Sequence, residues 1–264
     1  MTGPDLIDIV IASNKKATEE LTQKVSSVLS RDLYRTRALL VSKIPRIISQ
    51  MTDPQSIESL INQIKTLGLV SFSVKDVYLR QPIRLFKASA LEFADNNIIF
   101  KDKRDQLFKL EANQAFLILK GNLKTYSEKE IVTSVKKLNI AATLLTGGIP
   151  ISRTKHEKSK VITNQNEVFL RIFAKNSMDF CIEISQYSFN YSCLGSDMSP
   201  SSLYNLNLLA VKIKDFLPDA IFNDAMNESA VINTSSPGPR ENIDIDCKLF
   251  YLYYNFPNMQ YNDY

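Results

Sequence analysis

A chain of 264 residues with 44% hydrophobic, 23% charged and 9% aromatic residues is long enough for one large domain or two small ones, each with a buried core. A mean hydropathy of −0.13 and the lack of any apolar run of about 18 residues exclude a transmembrane helix, and the apolar fraction excludes global disorder. One histidine, three cysteines, seven glycines and no tryptophan leave little for metal, redox or phosphate-loop chemistry.

The opening residues Met1 to Asp8 place an acid where a signal peptide needs basic residues and a long apolar run, which predicts a cytoplasmic protein. Cys181, Cys193 and Cys247 are odd in number and lack metal-ligand spacing, so neither a disulfide framework nor a zinc site is expected. Leu6 to Ala12 is a short Ile/Val-rich run and predicts a strand. Asn14 is a plausible N-cap for the helix behind it, whose stripe is Ala17, Leu21, Val25, Val28 and Leu29. A second helix is predicted over residues 32–41, stopping before Pro45. Arg46 to Met51 predicts a strand. Thr52-Asp53-Pro54 then carries a cap and an N1 proline for a helix with Ile57, Leu60, Ile61 and Ile64 inward and Gly68 as its stop. Leu69 to Val74 closes the unit as a strand. The result is a βααβαβ module over residues 1–78 in an α+β protein.

The run Leu29-Ser30-Arg31-Asp32-Leu33, then Leu40, Ile44-Pro45-Arg46-Ile47-Ile48, and Asp53-Pro54 through Gly68 is similar to the C-terminal domain of the bacterial ribosomal stalk protein, whose fold the Clp-protease adaptor shares. The resemblance covers about the first 75 residues. It implies a small protein-interaction fold and no chemistry of its own. In the stalk family the two early helices present lysines to translation factors. The matching stretch here offers Lys24, Arg31, Arg35 and Arg37 mixed with Glu19 and Glu20, and nothing corresponds to the adaptor's pocket for protein N-termini.

From Leu79 to Pro82 the pattern breaks, and residues 79–233 predict a mostly β module, a meander or half-barrel of the pleckstrin-homology kind. Five short strands are predicted at residues 83–86, 90–93, 97–100, 107–110 and 116–119, with Gly121 ending the fifth. Two more are predicted at residues 168–173 and 178–183. Ser152 to Lys160 is wholly polar and predicts an exposed loop. A helix is predicted over residues 201–217, with Leu203, Leu206, Leu209, Ala210 and Ile213 inward. Tyr191 to Pro218 resembles stretches of bacterial cytoplasmic proteins that carry no assigned activity. Residues 234–264 predict a linker followed by an acidic, aromatic tail, either a docked strand or a partner-binding segment.

The net charge of +4 is unevenly spread. Lys120 to Lys160 holds nine Lys or Arg against three acids, whereas Asp215 to Tyr264 holds eight acids against Arg240 and Lys248. Either the middle meets an anionic partner, or two solvated surfaces partly neutralise each other. Lys136, Lys137, Arg153, Lys155, Lys158 and Lys160 are the candidate anion-binding residues, for phosphates of nucleic acid or of an anionic membrane. Tyr126 is the only aromatic near them, so a stacking platform for single strands is missing.

No phosphate-cradling glycine loop exists, and His156, the sole histidine, lies in a charged stretch. Ser134-x-x-Lys137 and Ser152-x-x-Lys155 match a serine–lysine spacing but lack the companion motifs of that chemistry. Asp219 with Asp246 and Lys248 is the one arrangement that suggests a metal-dependent phosphodiesterase. The expectation is therefore a non-catalytic cytoplasmic interaction or adaptor protein with a protein partner and no cofactor. The alternatives are an anion-binding module and, behind it, the phosphodiesterase.

Overall fold

The computed structural model describes residues 5–13, 16–138, 152–226 and 239–256, with only the backbone for 124–138, 152–165 and 239–241. The chain forms two compact units, Met1–Leu123 with Glu167–Tyr264, and Lys124–Asn166. The architecture is α+β, with a three-stranded and a seven-stranded sheet.

The first 75 residues fold in the predicted order: β1 (Ile7–Ala12), α1 (Glu19–Leu29), α2 (Leu33–Val41), β2 (Arg46–Met51), α3 (Pro54–Thr66) and β3 (Val70–Lys75). Local chemistry sets the boundaries. Asp32 and Asp53 cap α2 and α3 through their carboxylates, each taking a backbone N–H at 2.8 Å. The cap of α1 is Thr18, whose hydroxyl accepts from Leu21 N–H at 3.2 Å, not Asn14, which lies outside the described residues. β1 runs between β2 and β3, antiparallel to both. Its odd-numbered residues Ile9 and Ile11 pack with Val25, Ile57, Ile61 and Ile64 beneath α1 and α3, and its other face presents Val10 with Phe72 and Val74.

A one-turn helix, α4 (Asp76–Arg80), leads to the larger sheet. Its strands are β4 (Arg84–Ala94), β5 (Asn97–Asp102), β6 (Leu107–Glu111), β7 (Ala115–Leu138), β8 (Ser152–Ala174), β9 (Phe180–Ser185) and β10 (Ile221–Met226), ordered β10-β7-β8-β9-β4-β5-β6. Two meanders, β4-β5-β6 and β7-β8-β9, join side by side through a parallel β4/β9 pair, and β10 adds in parallel to β7. The sheet is thus open and mixed.

Three expectations are corrected here. Residues 84–86 and 90–93 belong to one strand, which Ile83 precedes, because β9 pairs the first half of β4 and β5 the second. Gly121 does not end a strand. β7 runs through it because a Cβ there would meet the Phe169 ring at 2.6 Å, so glycine makes room for a cross-sheet neighbour. Ser152 to Lys160 is not a loop but the first part of β8, a strand without the apolar alternation by which sequence reveals strands.

The helix predicted near residue 201 is present as α5 (Ser202–Phe216), which packs Leu206, Leu209, Ala210 and Ile213 on one face of the large sheet, while Leu203, predicted inward, is exposed. The predicted tail is corrected too. It holds α6 (Pro239–Asn255), a core helix. Cys247, Phe250 and Tyr251 pack on Leu117, Leu119, Phe169 and Phe173 of the large sheet. Leu249 and Leu252 pack on Val10, Phe72 and Val74 of the small one. α6 is the middle layer between two sheets and is apolar on both sides.

Candidate functional site

Lys136 and Lys137 stand on β7, and Arg153, Lys155, His156, Lys158 and Lys160 on β8, two strands that are hydrogen-bonded neighbours. The six candidate residues are thus gathered on one two-stranded ribbon within the unit Lys124–Asn166. Of their side chains the structure describes nothing, so the site is defined by backbone position and by charge. A ribbon concentrates charge more effectively than a loop, because paired strands fix their residues in two rows about 4.8 Å apart.

The acidic segment has a different destiny. Asp244 accepts from Arg171 Nη1 at 2.6 Å with one oxygen and from Ile83 N–H at 3.2 Å with the other. Arg171 also donates from Nε to Glu183 at 3.0 Å, its register partner on β9. It is 2% exposed. Asp246 pairs with Arg46 of β2 at 3.5 Å, and burial, eased by that arginine, pushes its carboxyl up to about 6. Lys248 is fully buried, donating to Tyr78 O at 2.6 Å and Gln81 O at 2.9 Å and pairing with Asp179 at 3.1 Å. Charges on α6 are latches to three surrounding elements.

That arrangement leaves the phosphodiesterase constellation without its geometry. Asp219 is exposed beyond the end of α5, while Asp246 and Lys248 are committed to separate interior partners. Among the described residues no group of three or more His, Cys, Asp or Glu could hold a metal ion. Burial pushes the Cys247 thiol up to about 12 and raises Cys181 as well, so neither is a ready nucleophile. Among the described residues no helix is long and apolar enough to cross a membrane.

A third feature was not visible in the sequence. β2 is an edge of the small sheet, and a groove of about 680 Å³ runs beside it toward α1 and α3. Leu29, Ile48 and Leu60 give it an apolar lining, and Ser30, Ser49 and Ser59 give it hydroxyls. Between Ile9/Ser49 and Val10/Ile47 the register shifts, which leaves Ile48 without a residue opposite it. The Arg31 guanidinium donates to the Ile48 carbonyl. Arg31 is held in place by its own backbone: Ser30 adopts the left-handed conformation (φ 49°), Arg31 N–H donates to Ser26 O at 3.1 Å, and Ser26 Oγ donates to Arg31 O at 2.5 Å. Among the described residues no carboxylate pairs with Arg31, and Asp53, the groove's acid, is taken up by the N–H of Ser56 at 2.8 Å.

Comparison with family models, curated proteins and solved structures returns no match.

Proposed function

We propose that this chain is a non-catalytic interaction protein whose basic β-ribbon holds an anionic polymer, duplex nucleic acid in the first place. What supports the reading is one observation: eight of the nine basic residues of 120–160, and all three acids, fall on a β-ribbon within the compact unit Lys124–Asn166. The rival reading was mutual neutralisation by the acidic segment. Two of that segment's carboxylates, Asp244 and Asp246, are instead consumed by Arg171 and Arg46 inside the other unit. A two-stranded ribbon fits the width of a duplex major groove, and phosphate contacts from Lys and Arg need no aromatic platform.

The test is a titration of a labelled 20-base-pair duplex at two salt concentrations, beside vesicles containing phosphatidylserine. Binding to the duplex falls with salt by nearly one logarithmic unit per unit of log salt for each phosphate neutralised. Alanine at Arg153, Lys155, Lys158 and Lys160 together lowers affinity for all duplex sequences alike, since phosphate contacts carry no base information. Binding to vesicles alone, or to neither partner at low salt, overturns the proposal.

A further inference from the structure

We infer that the groove between β2 and α3 is a second binding site, which takes an extended acidic peptide as an added strand on the free edge of β2. It is independent of the ribbon. The occupant follows from three features of the groove. The first is the edge itself. β2 pairs with β1 on one side, and its other side carries no strand among the described residues. Strand addition uses such an edge for main-chain hydrogen bonds, and uses neighbouring side chains to select sequence. The six residues of β2 match an incoming segment of about 20 Å.

The second feature is the lining. A helix beside an open edge gives an added strand one apolar wall, here Leu60 of α3 with Leu29 of α1 and Ile48 beneath. Ser49 and Ser59 suit the polar residues that alternate along such a strand. The third feature is charge. Arg31 is fixed by its backbone, has no carboxylate partner among the described residues, and spends its guanidinium on a neutral carbonyl. A carboxylate in the groove is a stronger acceptor than that carbonyl, because charge-assisted hydrogen bonds are roughly twice as strong as neutral ones. When Arg31 turns to it, Ile48 O is released to accept an N–H of the incoming strand. No buried group is left unpaired by the exchange.

The position of Ile48 also says which carboxylate this is. It is the third of six residues in β2. A chain-terminal carboxylate at that point would stop pairing halfway along the strand. An Asp or Glu side chain lets the added strand run the full edge. The ligand is therefore an internal acidic segment rather than a free C-terminus.

The experiment is selection on the full chain of a phage-displayed library of ten-residue internal segments. The selected peptides are then titrated by fluorescence, each beside its counterpart with the acid changed to its amide. Enriched peptides carry an Asp or Glu within an alternating apolar/polar pattern, and the amide counterpart binds about tenfold more weakly. Ser59→Trp fills the groove from an exposed helix position and lowers affinity at least about tenfold. Arg31→Gln keeps a donor for Ile48 O but removes the charge, and it abolishes the preference for acid over amide. Backbone amide resonances of residues 46–51 shift on titration. Enriched peptides without acids, peptides that bind Ser59→Trp unchanged, or no enrichment at all overturn the inference. The quadruple ribbon variant binds these peptides as the wild type does, so failure of the ribbon proposal and failure of this one read out separately.

Discussion

Residues 120–160 and 215–264 carry charge excesses of equal size and opposite sign, six positive in one and six negative in the other, yet the fold treats them in opposite ways. In the second segment Asp244, Asp246 and Lys248 project from α6 into two sheets and a connecting turn, and each meets a partner there. In the first segment the described residues 124–138 and 152–160 lie on a ribbon within a unit of their own. The same residue types serve packing in one region and are proposed to serve recognition in the other. The charges of α6 are largely taken out of water. A buried charge without its partner costs several kcal/mol, whereas an exposed one contributes little to folding.

The comparison breaks most readily at Arg171. Arg171→Met strands Glu183 and Asp244 in the interior between the large sheet and α6, and destabilises by about 3–5 kcal/mol. Urea unfolding measures the loss. Adding Glu183→Leu recovers part of it, since one stranded charge is then gone. An Arg171→Met variant as stable as the wild type would show that the network is not desolvated. Lys248→Met comes next. It leaves the carbonyls of Tyr78 and Gln81 without their donor and costs about 2–4 kcal/mol in the same assay.

A smaller effect of opposite sign is expected at Asp8. This residue is fully buried on β1. One carboxylate oxygen accepts from Gln50 Nε2 at 2.8 Å and the other has no partner. Burial, and then the nearby Asp76 carboxyl, push it up to about 6 against the Gln50 hydrogen bond and the charge of Arg80. The ordinary value is 3.8. Between those two values the folded protein holds a proton that the unfolded chain has released, so this group's contribution to stability declines as pH rises from about 4 to about 6. Asp8→Asn removes the titration. The variant is more stable than the wild type above pH 6 by about 1–2 kcal/mol and flatter across the window, as thermal unfolding at a series of pH values will record. A wild-type profile that climbs through that window would contradict the assignment.

The smallest effect sharpens the comparison from the other side. Alanine at Arg153, Lys155, Lys158 and Lys160 shifts stability by no more than about 0.5 kcal/mol while it removes the salt-dependent duplex binding. A loss of several kcal/mol would place the ribbon charges in the same class as those of α6.

Sequence made the small sheet legible because its boundaries are local. Pro45, the Asp53-Pro54 cap and Gly68 stop and start elements within a few residues, and Ile57 and Ile64 are buried as their spacing predicts, with Leu60 only partly so. α6 was illegible for a physical reason. A helix between two sheets is apolar on two sides, so Ile245, Leu249, Phe250, Tyr251 and Leu252 blur the one-faced stripe on which a helix is read. β8 was illegible at its start because an all-polar strand has no periodicity to detect. The Arg171–Glu183 pair did leave a trace: one charge in each of two apolar runs, Val-Phe-Leu-Arg-Ile-Phe and Phe-Cys-Ile-Glu-Ile-Ser. That signal becomes readable only once the register is known, and register is a non-local property. The groove at β2 was invisible for the same reason, since nothing in Arg31 or Ile48 announces that a bulge will bring them together.

The central position of α6 has a consequence for the order in which the molecule can be completed. Synthesis runs from the N-terminus at about 5–20 residues per second, and every strand of both sheets is translated before Pro239, where the helix begins. Until α6 has emerged, the faces built from Val10, Phe72 and Val74 and from Leu117, Leu119 and Phe173 lack the apolar side chains of this helix that pack on them. Nascent chains halted before this helix therefore expose part of two apolar surfaces at once. They are the form of this protein most in need of a chaperone and most readily drawn into aggregates.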